Sequence, residues 1–185
     1  MKTEYRLAEA LKNMMAEVPL DSISVTTLTK KCRVNRQTFY YHFHDIYDLL
    51  TLVFLNEQIP HVENVKNTKE LLKCIFAYYT KNKAFIDATL NSAGKELFEE
   101  FVHNICYKSF LRFITAIPES KKLHLNDRKS IARFYAEAYS HTINYYLSNY
   151  KTKSLEGLNN CFIFESSTAF EDAVQRLVII RSKHK

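Results

Sequence analysis

Two glycines and three prolines are all that 185 residues hold of the strong helix breakers, and tryptophan is absent. With so few interruptions helices run on, while no Asn-Gly or Asp-Gly pair is present to close a tight hairpin. An all-β fold is therefore excluded and an all-α fold expected. Gly94 and Gly157 cannot between them build a phosphate-cradling loop, and no H-E-x-x-H, G-x-S-x-G or P-loop pattern occurs. His42 and His44 stand two apart and Glu99 and Glu100 one apart, so each pair diverges on a helix. No enzyme, metal or cofactor is expected.

Other absences narrow the class further. The four cysteines, Cys32, Cys74, Cys106 and Cys161, are far apart and show no C-x-x-C spacing, so reduced core thiols are expected rather than a zinc or redox site. No long apolar run is present: Leu49 to Leu55 is far too short to span a bilayer, and MKTEYR opens no signal-type apolar block. A soluble cytoplasmic protein without a membrane partner is the expectation. Acidic residues are missing between Asp21 and Asp45, a window that contains Lys30, Lys31, Arg33 and Arg36. With a net charge of +6, that local excess suits an anionic partner.

What is present is enough for a real core, 46% of residues being hydrophobic, and it is arranged with helical spacing. Leu7, Leu11, Met15 and Val18 mark one face of a first helix closed by Pro19. Ser24 is placed to cap a short helix carrying Val25 and Leu28, Asn35 a second short one carrying Phe39 and Phe43, and Asp45 a longer one that closes at Pro60. Helices follow near 68–80, over Lys83 to Leu90, and from Leu97 to a stop before Pro118. Asn126 is expected to cap another reaching Tyr150, residues 151–163 to form a linker, and Thr168 with Glu171 to open the last. The sum is about nine helices.

Two short helices around a three-residue turn describe a helix-turn-helix, whose second member enters the major groove. With Phe39 and Phe43 inward, Arg36 and Gln37 face outward, suited to guanine and adenine, and Thr38 to thymine or phosphate. Tyr40, Tyr41 and His42 are candidate phosphate clamps, as are Thr26 and Thr27 at the start of the preceding helix. A helical subdomain with an aromatic hinge fits the same pattern.

The stretch SVTTLTKKCRVNRQTFYYHFHDIYDLL, residues 24–50, resembles the helix-turn-helix of the TetR family of bacterial regulators, with Val34, Thr38, Phe39, Tyr40, His42, Phe43 and Leu49 in the motif positions. Within it, RQTFYYHFHDIYDLL together with the later NKAFIDATLNSAGKELFEEF is also similar to the branch described as regulators of dihydroxyacetone kinase. Three positions depart from the pattern. Arg33 stands at the usual turn glycine, where it is either a strained turn residue or an added phosphate contact; Thr29 replaces a small alanine and Ile46 a phosphate-contacting lysine. The resemblance implies a DNA-binding domain at 1–46 and a helical effector-binding and dimerisation domain at 47–185. It implies a homodimer on a palindromic double-stranded operator, with DNA affinity set by a small-molecule or protein effector. His103, Tyr107, Tyr139 and His141 are the candidate polar lining of an effector pocket. A helical protein-protein adaptor without operator binding is the competing class.

Overall fold

The computed structural model describes residues 3–166 and 168–183. Ten α-helices and no strand form among them: α1 (Thr3–Met15), α2 (Val25–Cys32), α3 (Arg36–His42), α4 (Ile46–Asn56), α5 (Thr68–Lys81), α6 (Lys83–Leu90), α7 (Lys95–Ala116), α8 (Leu125–Asn149), α9 (Leu155–Asn160) and α10 (Ala169–Ser182). Two compact units result, one comprising the chain up to Gln58 with Tyr78–Phe101, the other Ile59–Ala77 with Val102 onward.

In the first unit Leu7, Leu11 and Met15 are buried on α1 as their spacing predicts. The helix stops at Met15, however, so Val18 lies past its end and is exposed. Phe54 of α4 sits at the middle of an aromatic core, its ring 5.4 Å from Phe85, 6.0 Å from Phe98 and 5.7 Å from Phe101. Gly94 is required by close approach, because a Cβ there would fall 2.6 Å from Leu50 Cδ2. At the end of α4, Glu57 gathers partners distant in sequence: Lys12 Nζ lies 2.6 Å from Oε1, and the Tyr78 hydroxyl donates to Oε2 at 2.7 Å. Lys12 also stands 5.3 Å over the Phe85 ring.

In the second unit α8 presents Ala132, Ala136, Tyr139, Ile143 and Tyr146 as its buried face. Its start differs from expectation: His124, not Asn126, occupies the capping position, and no side chain caps it. Asp127 in the first turn is instead gripped by Arg181 of α10, whose Nε lies 3.2 Å from both carboxylate oxygens. That guanidinium holds the Asp127 carboxyl below its ordinary pKa. Thr168 stands at the N-cap of α10, but its hydroxyl goes to the Asp172 carboxylate at 3.0 Å and makes no cap.

The segment 151–163 is more than a linker, since it contains α9, which Ser154 caps by accepting from the Gly157 N–H at 3.0 Å. The Tyr146 hydroxyl accepts from the Ser154 N–H at 2.9 Å and donates to the Ser154 carbonyl at 3.1 Å. Gly157 faces this pair, and a Cβ there would lie 2.4 Å from the Tyr146 oxygen. The glycine marks a close approach inside a helix.

All four cysteines are free, Cys32 and Cys106 being buried. Burial pushes the Cys106 thiol well above its ordinary pKa. Glu57→Ala would leave a Lys12 ammonium and a buried Tyr78 hydroxyl without their acceptor, so urea unfolding should show a loss of about 1–3 kcal/mol.

Candidate nucleic-acid interface

The candidate interface is built on α2 and α3, which are too short to be stable without caps and a buried face. Ser24 opens α2 by accepting from the Thr27 N–H at 3.1 Å, while the Thr27 hydroxyl accepts from the Ser24 N–H at 3.1 Å and donates to the Ser24 carbonyl at 2.8 Å. That reciprocal cap occupies Thr27, so its hydroxyl would have to leave the cap to reach a phosphate. Thr26, beside it, is half-buried. Thr29, at the position of the expected alanine, is 2% exposed, its hydroxyl donating to the Val25 carbonyl at 2.8 Å. Satisfied in this way, it costs the helix pair little.

The turn closes at Arg33, in the left-handed conformation with φ 53° and ψ 45°. Its N–H donates to the Lys30 carbonyl at 3.1 Å and that of Val34 to the Thr29 carbonyl at 3.0 Å. The geometry is the one a glycine adopts without cost, so a strained turn residue is what stands here. The side chain is exposed and its charge faces solvent.

Asn35 begins α3 by accepting from the Gln37 N–H at 3.0 Å. Phe39 is fully buried and Phe43 nearly so, their rings 5.6 Å apart. Anchoring these two rings turns Arg36, Gln37, Tyr40 and Tyr41 outward, and all four are exposed, Tyr41 to 85%. Thr38 is half-buried between the faces. The Arg36 guanidinium stands 5.9 Å over the Tyr40 ring. His42, half-buried, has its Nδ1 3.0 Å from Glu4 Oε1, so α1 holds the end of α3 in place. Glu4 escaped sequence reading because only its separation in space, not its spacing, links it to His42.

Lys30, Lys31, Arg33 and Arg36 are all exposed, and none is drawn into an ion pair among those the described residues form. Ile46 at the start of α4 is buried and offers phosphate nothing. Tyr47 beside it donates its hydroxyl to Asp21 at 3.1 Å, and the Asp21 charge raises the phenol's pKa after burial has done so. A cleft of about 370 Å³ lies here, bounded by Asp21, Tyr40, His44, Asp45 and Tyr47. Two carboxylates on its rim make it a poor seat for a phosphate.

In the second unit, His103 and Tyr107 stack on α7 with rings 6.5 Å apart and 6° from parallel. His103 Nδ1 lies 3.5 Å from the Ser140 hydroxyl and 3.7 Å from Glu137 Oε2. Tyr139, 3% exposed, packs its ring 4.8 Å from Phe110 and 4.2 Å from Phe162. His141 is exposed on another face of α8, two residues on from Tyr139. Phe162 was not foreseen because it falls in the segment read as a linker; an aromatic inside a polar connector was the available signal. No group of three or more His, Cys, Asp or Glu placed to hold a metal occurs among the described residues. Nor is any helix among them long and apolar enough to cross a membrane.

Residues 66–160, half of the chain, match the family model described as transcriptional regulator C-terminal region. Among solved structures, the dihydroxyacetone kinase operon activator DhaS has a similar fold, with a TM-score of 0.58 and 21% identity over 96% of this chain and 97% of that one. No curated protein matches at a significant level.

Arg33 permits a separation of backbone from charge. Arg33→Gly and Arg33→Ala both remove the guanidinium, but only glycine relieves the left-handed backbone, so the glycine variant should be the more stable by about 1 kcal/mol in denaturant unfolding.

Proposed function

The chain belongs to the TetR family of transcriptional regulators, and from that premise we propose that it binds a palindromic DNA operator as a homodimer, with α3 as the reading helix. The observation that carries this reading is the division of α3: Phe39 is buried without remainder while Arg36, Gln37 and Tyr41 stand in solvent. A solvent-facing Gln and Arg at the N-terminal end of a groove-sized helix are the side chains that read adenine and guanine by paired hydrogen bonds. The exposed Lys30, Lys31 and Arg33 supply charge for phosphate, and Tyr40 and Tyr41 supply hydroxyls. His42 acts through its contact with Glu4, holding the end of the helix, and reaches phosphate only if that contact is given up.

Self-association is supported by apolar surface on the long helices. Phe134 and Tyr145, 71% and 57% exposed on α8, lie eleven residues apart, three helical turns along one face. Ile179 and Ile180, neighbours on α10, are each about half-exposed. A two-fold pairing through such faces sets two α3 helices on half-sites about 34–36 Å apart. An effector bound in the second unit then shifts DNA affinity by preferring the conformer with the right or the wrong separation. The name of DhaS gives the dihydroxyacetone kinase genes as the first operator region to test.

Two measurements decide between this and a helical adaptor that binds no operator. Selection from random DNA should enrich a palindrome whose affinity falls with salt at about 0.9 log-log unit per phosphate contacted. Arg36→Ala and Gln37→Ala should each cost about 1–3 kcal/mol and relax the preference at one base pair; unchanged affinity in both would leave α3 without a reading role. Phe134→Glu should convert the dimer to monomer in sedimentation and abolish binding to the full palindrome.

A further inference from the structure

Around α8 of the second unit, aromatic rings pack on one another at close range. Phe170 lies 4.6 Å from Tyr135, 5.4 Å from Phe110 and 6.2 Å from Phe113, and Tyr139 bridges Phe110 to Phe162. A ring cluster alone is ordinary core, but two polar groups here are not in the state a core gives them. The Tyr135 hydroxyl donates to the Ala169 carbonyl at 2.9 Å, whereas that of Tyr139, wholly buried, has no hydrogen-bond partner among the described residues. Glu165 is half-buried beside the cluster, tied by its N–H to the Phe162 carbonyl at 3.0 Å, and no cation or donor meets its carboxylate among the described residues. Burial without a partner pushes its pKa up to about 7. Each of these groups costs stability as it stands.

The Phe162 ring, stacked on Tyr139 at 4.2 Å and 17°, is the part most easily moved. It comes from the turn 161–164, where the next two side chains, Ile163 and Phe164, are 80% and 85% exposed. The sign of the surrounding charge favours a cation: Glu165, Glu171 and Asp172 all act on Tyr135 from the negative side, opposed by Arg176.

We propose that this cluster is a binding site for a flat organic cation with an N–H donor, such as a protonated aromatic amine or amidine. Its ring replaces Phe162 against Tyr139, an N–H donates to the Tyr139 oxygen, and its charge lies beside the Glu165 carboxylate. Aromatic faces attract such a cation in their own right. The proposal rests on reading the second unit as the effector-binding part, and it names the chemistry of that effector.

The test is calorimetric titration of the full chain, without DNA and in mildly alkaline buffer, with three probes of one shape: benzamidine, benzamide and benzoate. Benzamidine should bind at least about tenfold more tightly than benzamide, and benzoate least. Glu165→Gln should remove the advantage of benzamidine while leaving benzamide unchanged, and Phe162→Ala, which clears the displaced ring, should tighten benzamidine. Equal affinity for the three probes, no benzamidine binding, or benzamidine binding indifferent to Glu165→Gln overturns the proposal. Weakening by Phe162→Ala makes that ring a wall of the site and overturns the displacement. Circular dichroism of both variants excludes loss of fold as the cause. Because no DNA is present, failure here leaves operator binding standing, and failure of operator binding leaves this titration interpretable.

Discussion

A seven-residue helix makes too few internal hydrogen bonds to persist alone, so α3 exists because Phe39 is buried. That ring, with Phe43 one turn later, fixes the rotation of the helix about its own axis, and the rotation decides which side chains meet solvent. Asn35 at one end and the His42–Glu4 pair at the other fix its length and tilt. Burying an aromatic ring is worth about 1.5–3 kcal/mol, roughly twice a typical single polar contact of this kind. The polar contacts therefore tune an orientation that hydrophobic burial has already chosen, and the outward set of Arg36, Gln37 and Tyr41 follows from it.

The same division of labour recurs away from α3. Glu57 draws Lys12 and Tyr78 together at the end of α4, whose Phe54 is the hub of the aromatic core. Asp127 and Arg181 tie the start of α8 to the end of α10, which Val174 and the Phe170 ring already hold by packing. In each case a charged pair sits at the margin of an apolar contact and restricts its geometry. Such pairs specify more than they stabilise.

Much of this was legible before any coordinates. Ser24, Asn35 and Asp45 are all helix caps as their residue types predict, and α6 runs over the expected residues Lys83–Leu90. Local rules suffice where the relevant partners are three or four residues apart. They fail where the partner is remote: α8 starts at His124 without a side-chain cap and is tied at its first turn by Arg181 on Asp127, and Tyr146 turns part of an apparent linker into α9. The candidate site divides in the same way. The outward face of α3 follows from helical period, whereas the occupation of Thr27 by its own cap, of His42 by Glu4 and of Tyr139 by Phe162 depends on side-chain competition that no periodicity encodes.

Anyone wishing to make this chain hardier by ordinary helix engineering would begin with Gly157, since a glycine within a helix gives up about 0.5–1 kcal/mol relative to alanine. The result would be the reverse of the intent. An alanine methyl at 157 would meet the phenol oxygen of a Tyr146 that is 1% exposed and so has no room to retreat. To admit it, the ring must let go of both backbone groups of Ser154, the residue that caps α9. A substitution scored as favourable for the helix would thus remove the helix's own fastening.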